Sequence, residues 1–431
     1  MREEIIFYPG PIHLLWSTGI YYVNELSKSY DVTLVLENAA SEDINRINDL
    51  TENRIVKIYM VGLFYMIKRH ENYKNIFKKI FKKNNFKYAF APDDMHPLNI
   101  YLFRQAKKCG CVNICYQSGF MVGERREQRI MMNSEKALFI KYKYGVPFTF
   151  ASILIDIVNT VRHWWHYMIA PLVVGEQPFW GKSSCFTHKG HSTMRDGDHY
   201  ILYGERERSI FIKGGVEPKE TIVIPHPITW DCNIRFNNKL LNCRSVELSD
   251  CESIIIFLDD IQYTFNKELR RVITRDDFCK SWIKVIEILS QKFPQSTIWL
   301  KPHPAQSDEL NISEMFKTVV TQSDNVKIVN QFENAMDFFS TCGVIISQNS
   351  TVLFLASLLF DNKTIISLNL HDRYLGDVYK KVNNIHYFPN LRDFENYDFK
   401  SNKKVQLQRW DGSKLMKDFL FSIADRRVRN S

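Results

Sequence analysis

Lys301-Pro302-His303-Pro304 follows directly on an apolar, strand-like run, Thr297 to Leu300. Further along, a second apolar run, Val344 to Ile346, opens into Ser347-Gln348-Asn349-Ser350-Thr351. A lysine, a histidine and a cluster of hydroxyl and amide groups are the donors that a phosphate needs. Thr351 also opens a helix-like stretch, Val352 to Phe360. The free N–H groups and dipole of such a helix favour an anion at its start. In an open parallel sheet ligands bind beyond the carboxyl ends of the strands. Lys301, His303, Pro304, Gln348, Asn349, Ser350 and Thr351 are therefore expected to form one phosphate-binding site.

Alternating strands and helices must position these loops. Ile5 to Tyr8, Val32 to Leu36, Tyr88 to Phe90, Val112 to Tyr116, His199 to Leu202 and Thr221 to Ile224 read as strands. Helical patterns separate them over Leu14 to Ser27, Pro97 to Lys108, Phe148 to Val174 and Glu205 to Lys213. A polar stretch, Asn233 to Ser253, follows, and then a second series runs from Ile254 to Leu368. Such alternation predicts parallel sheets covered by helices on both faces. The expected fold is α/β, with two Rossmann-like doubly wound domains. Residues 1–232 form the first, 233–253 the connection, 254–400 the second domain and 401–431 a terminal segment. Leu415, Met416, Phe419, Leu420 and Ile423 lie along one side of a helix there, which is expected to fold back.

Bulk composition sets limits on function. A chain of 431 residues, 45% hydrophobic and 24% charged, suits two globular domains. Its nine cysteines have no framework spacing, which fits reduced thiols in a cytoplasm. Cys109, Cys111 and Cys115 lie in an apolar stretch and are expected to be buried thiols rather than metal ligands. Arg2-Glu3-Glu4 runs straight into a strand, so no signal peptide is expected. The longest apolar stretch, Val146 to Val174, is interrupted by Asp156, Asn159, Arg162, His163 and His166, which argues against a membrane span. The net charge of +9 is uneven: from Met66 to Lys143 there are 17 Lys and Arg against six Asp and Glu. Lys78-Lys79 and Lys82-Lys83 flank Ile76, Phe77, Ile80 and Phe81. That pattern is either a solvated helix face over core contacts or a surface for anionic lipid or an acidic acceptor. Trp164-Trp165 with His166-Tyr167 is either an interfacial aromatic cluster or buried between helices. No nucleic-acid-binding signature accompanies the charge.

Other polar residues follow strands. Asp93, Asp94 and His96 stand before the helix that begins at Pro97, and Gln117-Ser118-Gly119 follows the next strand. The two Asp are either general-base candidates or helix caps. His13, after Pro9-Gly10-Pro11, is a further candidate. Asp259-Asp260 with Gln262 follows the first strand of the second series. These two Asp either touch a ribose or acceptor or serve as caps. Neither that pair nor Asp276-Asp277 has the His or Cys partners of a metal site, so no metal or cofactor is expected.

The chain resembles the GT-B glycosyltransferases, and its C-terminal half is similar to bacterial enzymes that use CMP-activated acidic sugars. These are the retaining β-Kdo transferases of O-antigen and capsule synthesis and, more distantly, the bacterial sialyltransferases. The resemblance rests on His303-Pro304, on Ser350-Thr351, and on the runs His199 to Glu205, Gly215 to Lys219 and Ile224 to Pro227. It implies two domains facing across a cleft, a CMP-sugar donor gripped by the two loops, and a lipid-linked or oligosaccharide acceptor. Donors fixed on the departing phosphate would carry much of the catalysis. It further implies a base on the acceptor hydroxyl, from Asp93, Asp94 or His96. In the retaining case it implies a carboxylate nucleophile forming a covalent glycosyl-enzyme. Asp231 is a candidate for that role; alternatively the position is 232, where this chain carries Cys232. The alternative for both is an ordinary linker thiol beside a capping Asp. The implied location is cytoplasmic and peripheral at the inner membrane, with an anionic membrane surface as partner and no nucleic acid. The chain could equally be a module of a larger synthase. Rivals are an inverting sialyltransferase, a CDP-glycerol glycerophosphotransferase, and a non-catalytic glycan-binding scaffold.

Overall fold

A computed structural model describes residues 2–37, 39–61, 66–92, 96–118, 136–137, 140–141, 144–165, 169–177, 196–213, 215–230, 253–258, 265–266, 271–272, 275–303, 316, 324–330, 335–339, 341–348, 350–360, 363–370, 379–380, 382, 384–399 and 411–430. Contacts divide the chain into two compact units. The first comprises Met1–Gln128, Ile157–Arg235 and Arg409–Ser431; the second comprises Arg129–Asp156 and Phe236–Gln408.

Seven parallel strands build the first unit: β1 (Glu4–Phe7), β2 (Asp31–Glu37), β3 (Ile55–Val61), β4 (Phe86–Ala91), β5 (Val112–Tyr116), β6 (His199–Leu202) and β7 (Thr221–Val223). Their order is β3-β2-β1-β4-β5-β6-β7. A helical turn, Ile12–Leu14, and a π-helical stretch, Leu15–Gly19, lead into α1 (Ile20–Ser27). Then come α2 (Ser41–Leu50), α3 (Met66–Lys83), α4 (Pro97–Lys108), α5 (Phe148–Trp164), whose residues up to Asp156 are counted with the second unit, α6 (Ala170–Val173) and α7 (Glu205–Lys213). One face of the sheet packs Ile6, Tyr8, Val35 and Ala89 against Phe77 and Ile80 of α3 and Leu98 and Leu102 of α4. On β1, β4 and β5, Phe7 stacks on Phe90 and Tyr116, and Tyr22 of α1 packs on Tyr116 and, edge-on, on Trp230. The lysines of α3 fall on its solvated side: Lys78, Lys79, Lys82 and Lys83 are exposed while Phe77, Ile80 and Phe81 are buried.

The second unit repeats the arrangement with β8 (Ser253–Phe257), β11 (Thr297–Lys301), β12 (Val326–Ile328), β13 (Val344–Ser347), β14 (Thr364–Leu368) and β15 (His386–Phe388). The order is β12-β11-β8-β13-β14-β15, all pairs parallel. A two-stranded antiparallel ribbon, β9 (Phe265–Asn266) and β10 (Arg271–Val272), stands apart from that sheet. The helices are α8 (Arg275–Lys292), α9 (Ala335–Phe339), α10 (Thr351–Leu359) and α11 (Leu391–Glu395). Ile254, Ile255 and Ile256 are all fully buried, as expected of a central parallel strand covered on both faces. Ile254 and Ile256 share a core with Phe278, Trp282, Val285 and Leu289 of α8.

Both sheets are therefore doubly wound and Rossmann-like, the GT-B type of fold. Some local expectations change. The helical region expected over Phe148 to Val174 contains α5 and α6, with Trp165 and Ile169 in π-helical conformation between them and 166–168 outside the described residues; α6 carries a proline in its first turn. Cys111 and Cys115 are buried, but Cys109 is exposed, because it follows the last residue of α4 where Gly110 (φ +77°) turns the chain toward β5.

The terminal helix α12 (Gly412–Asn430) packs on the first unit. Met416, Phe419, Leu420 and Ile423 are buried, and Phe419 meets His199 edge-on. Gly412 sits against the Trp230 indole so closely that a Cβ there would lie 2.4 Å from Trp230 Cε3. Gly412→Ala is expected to lower stability by about 1–3 kcal/mol, the cost of overpacking a filled core. The neighbouring Ser413→Ala should stay within about 0.5 kcal/mol. Thermal or urea denaturation of the two variants checks this.

Candidate functional site

In the second unit the chain moves outward from β8 to β11 and β12, then returns to β13 on the other side of β8. The point of reversal, between β8 and β13, is where an open α/β sheet leaves a crevice at its carboxyl edge. Two of the phosphate-binding candidates arise there and one strand away. Lys301 ends β11 and Ser347 ends β13, and both are register partners of Phe257 on β8. They are thus two strand spacings apart, about 10 Å between backbones. Lys301 is 3% exposed, and its carbonyl accepts from the Leu258 N–H at 2.9 Å. His303, two residues on, is half-buried.

The loop after β13 divides its polar groups between two roles. Ser347 donates its hydroxyl to the Phe257 carbonyl at 2.8 Å, and Gln348 has no exposed surface. Ser367 of β14 donates to the Gln348 carbonyl at 2.7 Å, and Tyr379 donates to the Ser350 carbonyl at 2.6 Å. These bonds fix the loop's backbone. Ser350 is the N-cap of α10, its hydroxyl accepting from the Val352 N–H at 3.3 Å, while Thr351 is exposed. Ser350, Thr351 and the start of α10 thus lie at the carboxyl edge of the sheet. Pro304, Asn349, Asp259, Asp260 and Gln262 lie outside the described residues.

The first unit has the same reversal between β1 and β4. The loops following those strands touch: a Cβ on Gly10 (φ +86°) would lie 3.1 Å from Pro92 Cγ. His96 is half-buried and is the N-cap residue of α4, with no side-chain cap bond and Pro97 next. Asp93 and Asp94 lie outside the described residues, as do Asp231 and Cys232, and nothing is described of the His13 side chain.

The Gln117 side chain holds backbone, and the backbone of Gln117 and Ser118 is itself held. The Gln117 side-chain oxygen accepts from the Tyr203 N–H at 3.0 Å, and its carbonyl accepts from the Tyr203 hydroxyl. The Ser118 carbonyl accepts from Thr18 at 3.1 Å. Burial pushes the Tyr203 phenol well above its ordinary pKa, with Tyr22 and Tyr116 adding to the shift, so it remains a neutral donor. His226 lies 4.3 Å from Tyr203, ring to ring. It is buried, its Nδ1 accepts from the Ile228 N–H at 3.1 Å, and burial lowers its pKa to about 3. The Trp230 indole closes the corner by donating to the Pro225 carbonyl at 2.9 Å. Among the described residues no group of three or more His, Cys, Asp or Glu could hold a metal ion.

No protein-family model and no curated protein matches the chain. Solved structures do. UDP-GlcNAc 2-epimerase from Methanocaldococcus jannaschii aligns over 98% of this chain and 100% of its own, with a TM-score of 0.60 and 10% identity. The same enzyme in complex with UDP-GlcNAc and UDP aligns over the same shares, with a TM-score of 0.54 and 13% identity. The enzyme from Neisseria meningitidis bound to UDP-GlcNAc aligns over 85% of this chain and 82% of its own, with a TM-score of 0.51 and 11% identity. At these identities the likeness is one of fold.

A neutral buried His226 makes stability depend on pH. Its folded pKa lies below the unfolded value near 6.5, so its contribution is complete above about pH 6.5 and falls as pH drops toward about 3. The slope is about 1.4 kcal/mol per pH unit for one proton. His226→Asn keeps an acceptor for the Ile228 N–H and is expected to flatten urea stability by about one proton between those limits. An unchanged slope would show that His226 does not titrate this way.

Proposed function

We propose that the chain is a glycosyltransferase that moves an acidic sugar, Kdo, from a CMP donor to a bacterial surface glycan, acting at the cytoplasmic face of the inner membrane. The observation that carries this is that the β11 and β13 loops leave the carboxyl edge of the second sheet on either side of β8. A buried cation, Lys301, and the capped start of α10 flank one carboxyl edge there. A departing nucleotide phosphate gains charge as the glycosidic bond breaks, and fixed donors of this kind stabilise that charge. The His303-Pro304 and Ser350-Thr351 motifs, similar to those of the CMP-sugar enzymes, favour CMP as the nucleotide.

In the retaining form of the reaction, a carboxylate or thiolate at Asp231 or Cys232 attacks the anomeric carbon. The bond to the CMP phosphate breaks, and CMP leaves with the electron pair. The acceptor hydroxyl then attacks the same carbon, passing its proton to Asp93, Asp94 or His96 and releasing the enzyme nucleophile. Two inversions give net retention. The inverting alternative omits the adduct and uses only the base.

A second reading has a specific observation in its favour. The full-length alignment with an enzyme solved in complex with UDP-GlcNAc and UDP supports a UDP-sugar substrate. Nucleotide choice separates the two readings. CMP at a hundred times its Kd should stabilise the protein by about 2.7 kcal/mol, and UDP should not. His303→Ala or Lys301→Met is expected to weaken CMP binding by about tenfold or more, the loss of a hydrogen bond to a charged group. Incubation with CMP-Kdo, CMP-sialic acid and UDP-GlcNAc, followed by mass spectrometry of protein and products, tests turnover. The expected outcome is CMP release from CMP-Kdo with added mass on the peptide containing Asp231 and Cys232. Stabilisation by UDP alone, with conversion of UDP-GlcNAc, would overturn the proposal in favour of the second reading.

A further inference from the structure

Glu37 is the last residue of β2, and β2 lies beside β1 in the first sheet as β11 lies beside β8 in the second. β11 ends on Lys301, so the corresponding strand ends of the two sheets carry opposite charges. Both side chains are almost withdrawn from water, Lys301 at 3% exposure and Glu37 at 7%. Glu37 follows Val35 by two residues and therefore projects to the same face of the sheet as that core residue. There Tyr73 of α3 donates its hydroxyl to Glu37 Oε1 at 3.0 Å. The loop leaving β1 borders it on the other side, since Pro11 forms a parallel bridge with Glu37. All of these residues belong to the first unit except Lys301.

Among the described residues no Lys, Arg or His pairs with Glu37, and no donor reaches its Oε2. The basic side chains flanking Tyr73 on α3 are engaged elsewhere: His70 faces the Tyr101 hydroxyl at 3.3 Å, and Lys74 donates to the Val174 carbonyl at 2.5 Å and meets Glu176 at 3.4 Å. Arg46 of α2 lies over the Trp16 ring, 4.5 Å from its centre. A carboxylate this far from water is costly without a counter-ion, and such residues are rarely buried unpaired. Tyr73 does not account for the charge, because the amide oxygen of a glutamine would accept the same hydroxyl without it. Ligands of an open parallel sheet bind at its carboxyl edge, where Glu37 stands with one oxygen fixed and the other without a donor. Its charge repels a phosphate or a carboxylate. Hydroxyl groups suit it, because an O–H donated to a carboxylate makes one of the stronger hydrogen bonds.

We propose that Glu37, positioned by Tyr73, binds the hydroxyl groups of an uncharged sugar at the carboxyl edge of the first sheet. In the glycosyltransferase reading, on which this step alone rests, that sugar is the acceptor. The binding assay contains no nucleotide, so the two readings fail separately. Saturation-transfer NMR on the full chain compares methyl glycosides of galactose, mannose and N-acetylglucosamine with those of glucosamine and glucuronic acid. At least one neutral glycoside should bind, about tenfold or more tightly than the glucuronide. Glu37→Gln keeps an acceptor for Tyr73 and should weaken that binding about tenfold or more, as expected for losing a hydrogen bond to a charged group. Its melting temperature should equal or exceed that of the wild type, because an uncompensated buried charge has gone. A purely structural Glu37 gives the reverse, a lower melting temperature with sugar binding unchanged. Circular dichroism checks folding. Should Glu37→Gln misfold, Glu37→Asp, which withdraws the carboxylate by one methylene, and the order of the probes on the wild type still decide. The proposal is overturned if no neutral glycoside binds, if the glucuronide binds equally well, or if the glucosamine glycoside binds tenfold more tightly. It is equally overturned if folded Glu37→Gln binds as the wild type does. Sugar binding that depends on Glu37, without transfer from CMP-Kdo, would sustain this site and sink only the transferase reading.

Discussion

A strand inside a parallel sheet needs a hydrogen-bonded neighbour on each side, and each crossover must return the chain to the same end. A series that starts at one strand and adds neighbours outward can fill the other side only by reversing. Both units do this, starting at β1 and β8 and reversing to β4 and β13. Because crossovers keep one handedness, the helices before and after the reversal cover opposite faces. The chain leaving the two strands at that point therefore leads to helices on opposite faces of the sheet. The placement of Lys301, Ser350 and Thr351 in one unit, and of Gly10, Pro92 and His96 in the other, follows from this single constraint.

Within each edge, the polar side chains separate into those that shape the loop and those left to meet a ligand. Two His-Pro pairs illustrate the division. His226, before Pro227, is buried and neutral, its Nδ1 occupied by the Ile228 N–H, and it serves the turn that leads to Trp230. His303 stands half-buried after a strand of the second sheet. The same pair of residue types thus stabilises a corner in one place and borders a candidate anion site in the other. What distinguishes them is burial, which the pair itself does not encode.

That contrast also explains how much could be read from sequence. The central strands were legible because burial on both faces demands unbroken apolar runs, as in Ile254-Ile255-Ile256 and Val344-Ile345-Ile346. The edge strands β3 and β15 were passed over, along with α2. β3 leaves Val56 and Met60 exposed and β15 is only half-buried, so neither carries a continuous run. For the candidate site, residue types point to the loops, but they do not give the backbone-holding roles of Ser347 and Gln117, nor the bond that Thr18 makes to the Ser118 carbonyl. Their partners, Phe257, Tyr203 and Thr18, are distant in the chain and became visible only through tertiary structure.

The close seat of Gly412 on Trp230 bears on how the chain reaches its native state. Trp230 belongs to the first unit, but the helix that covers it is made only after every strand of the second sheet has been synthesised. On a ribosome, the first unit would wait with that indole and its neighbour Tyr22 uncovered while the second sheet assembles. The final turns of α12 therefore act as a completion step for the earliest part of the molecule, and a nascent chain stalled before Gly412 would present an unfinished core to chaperones.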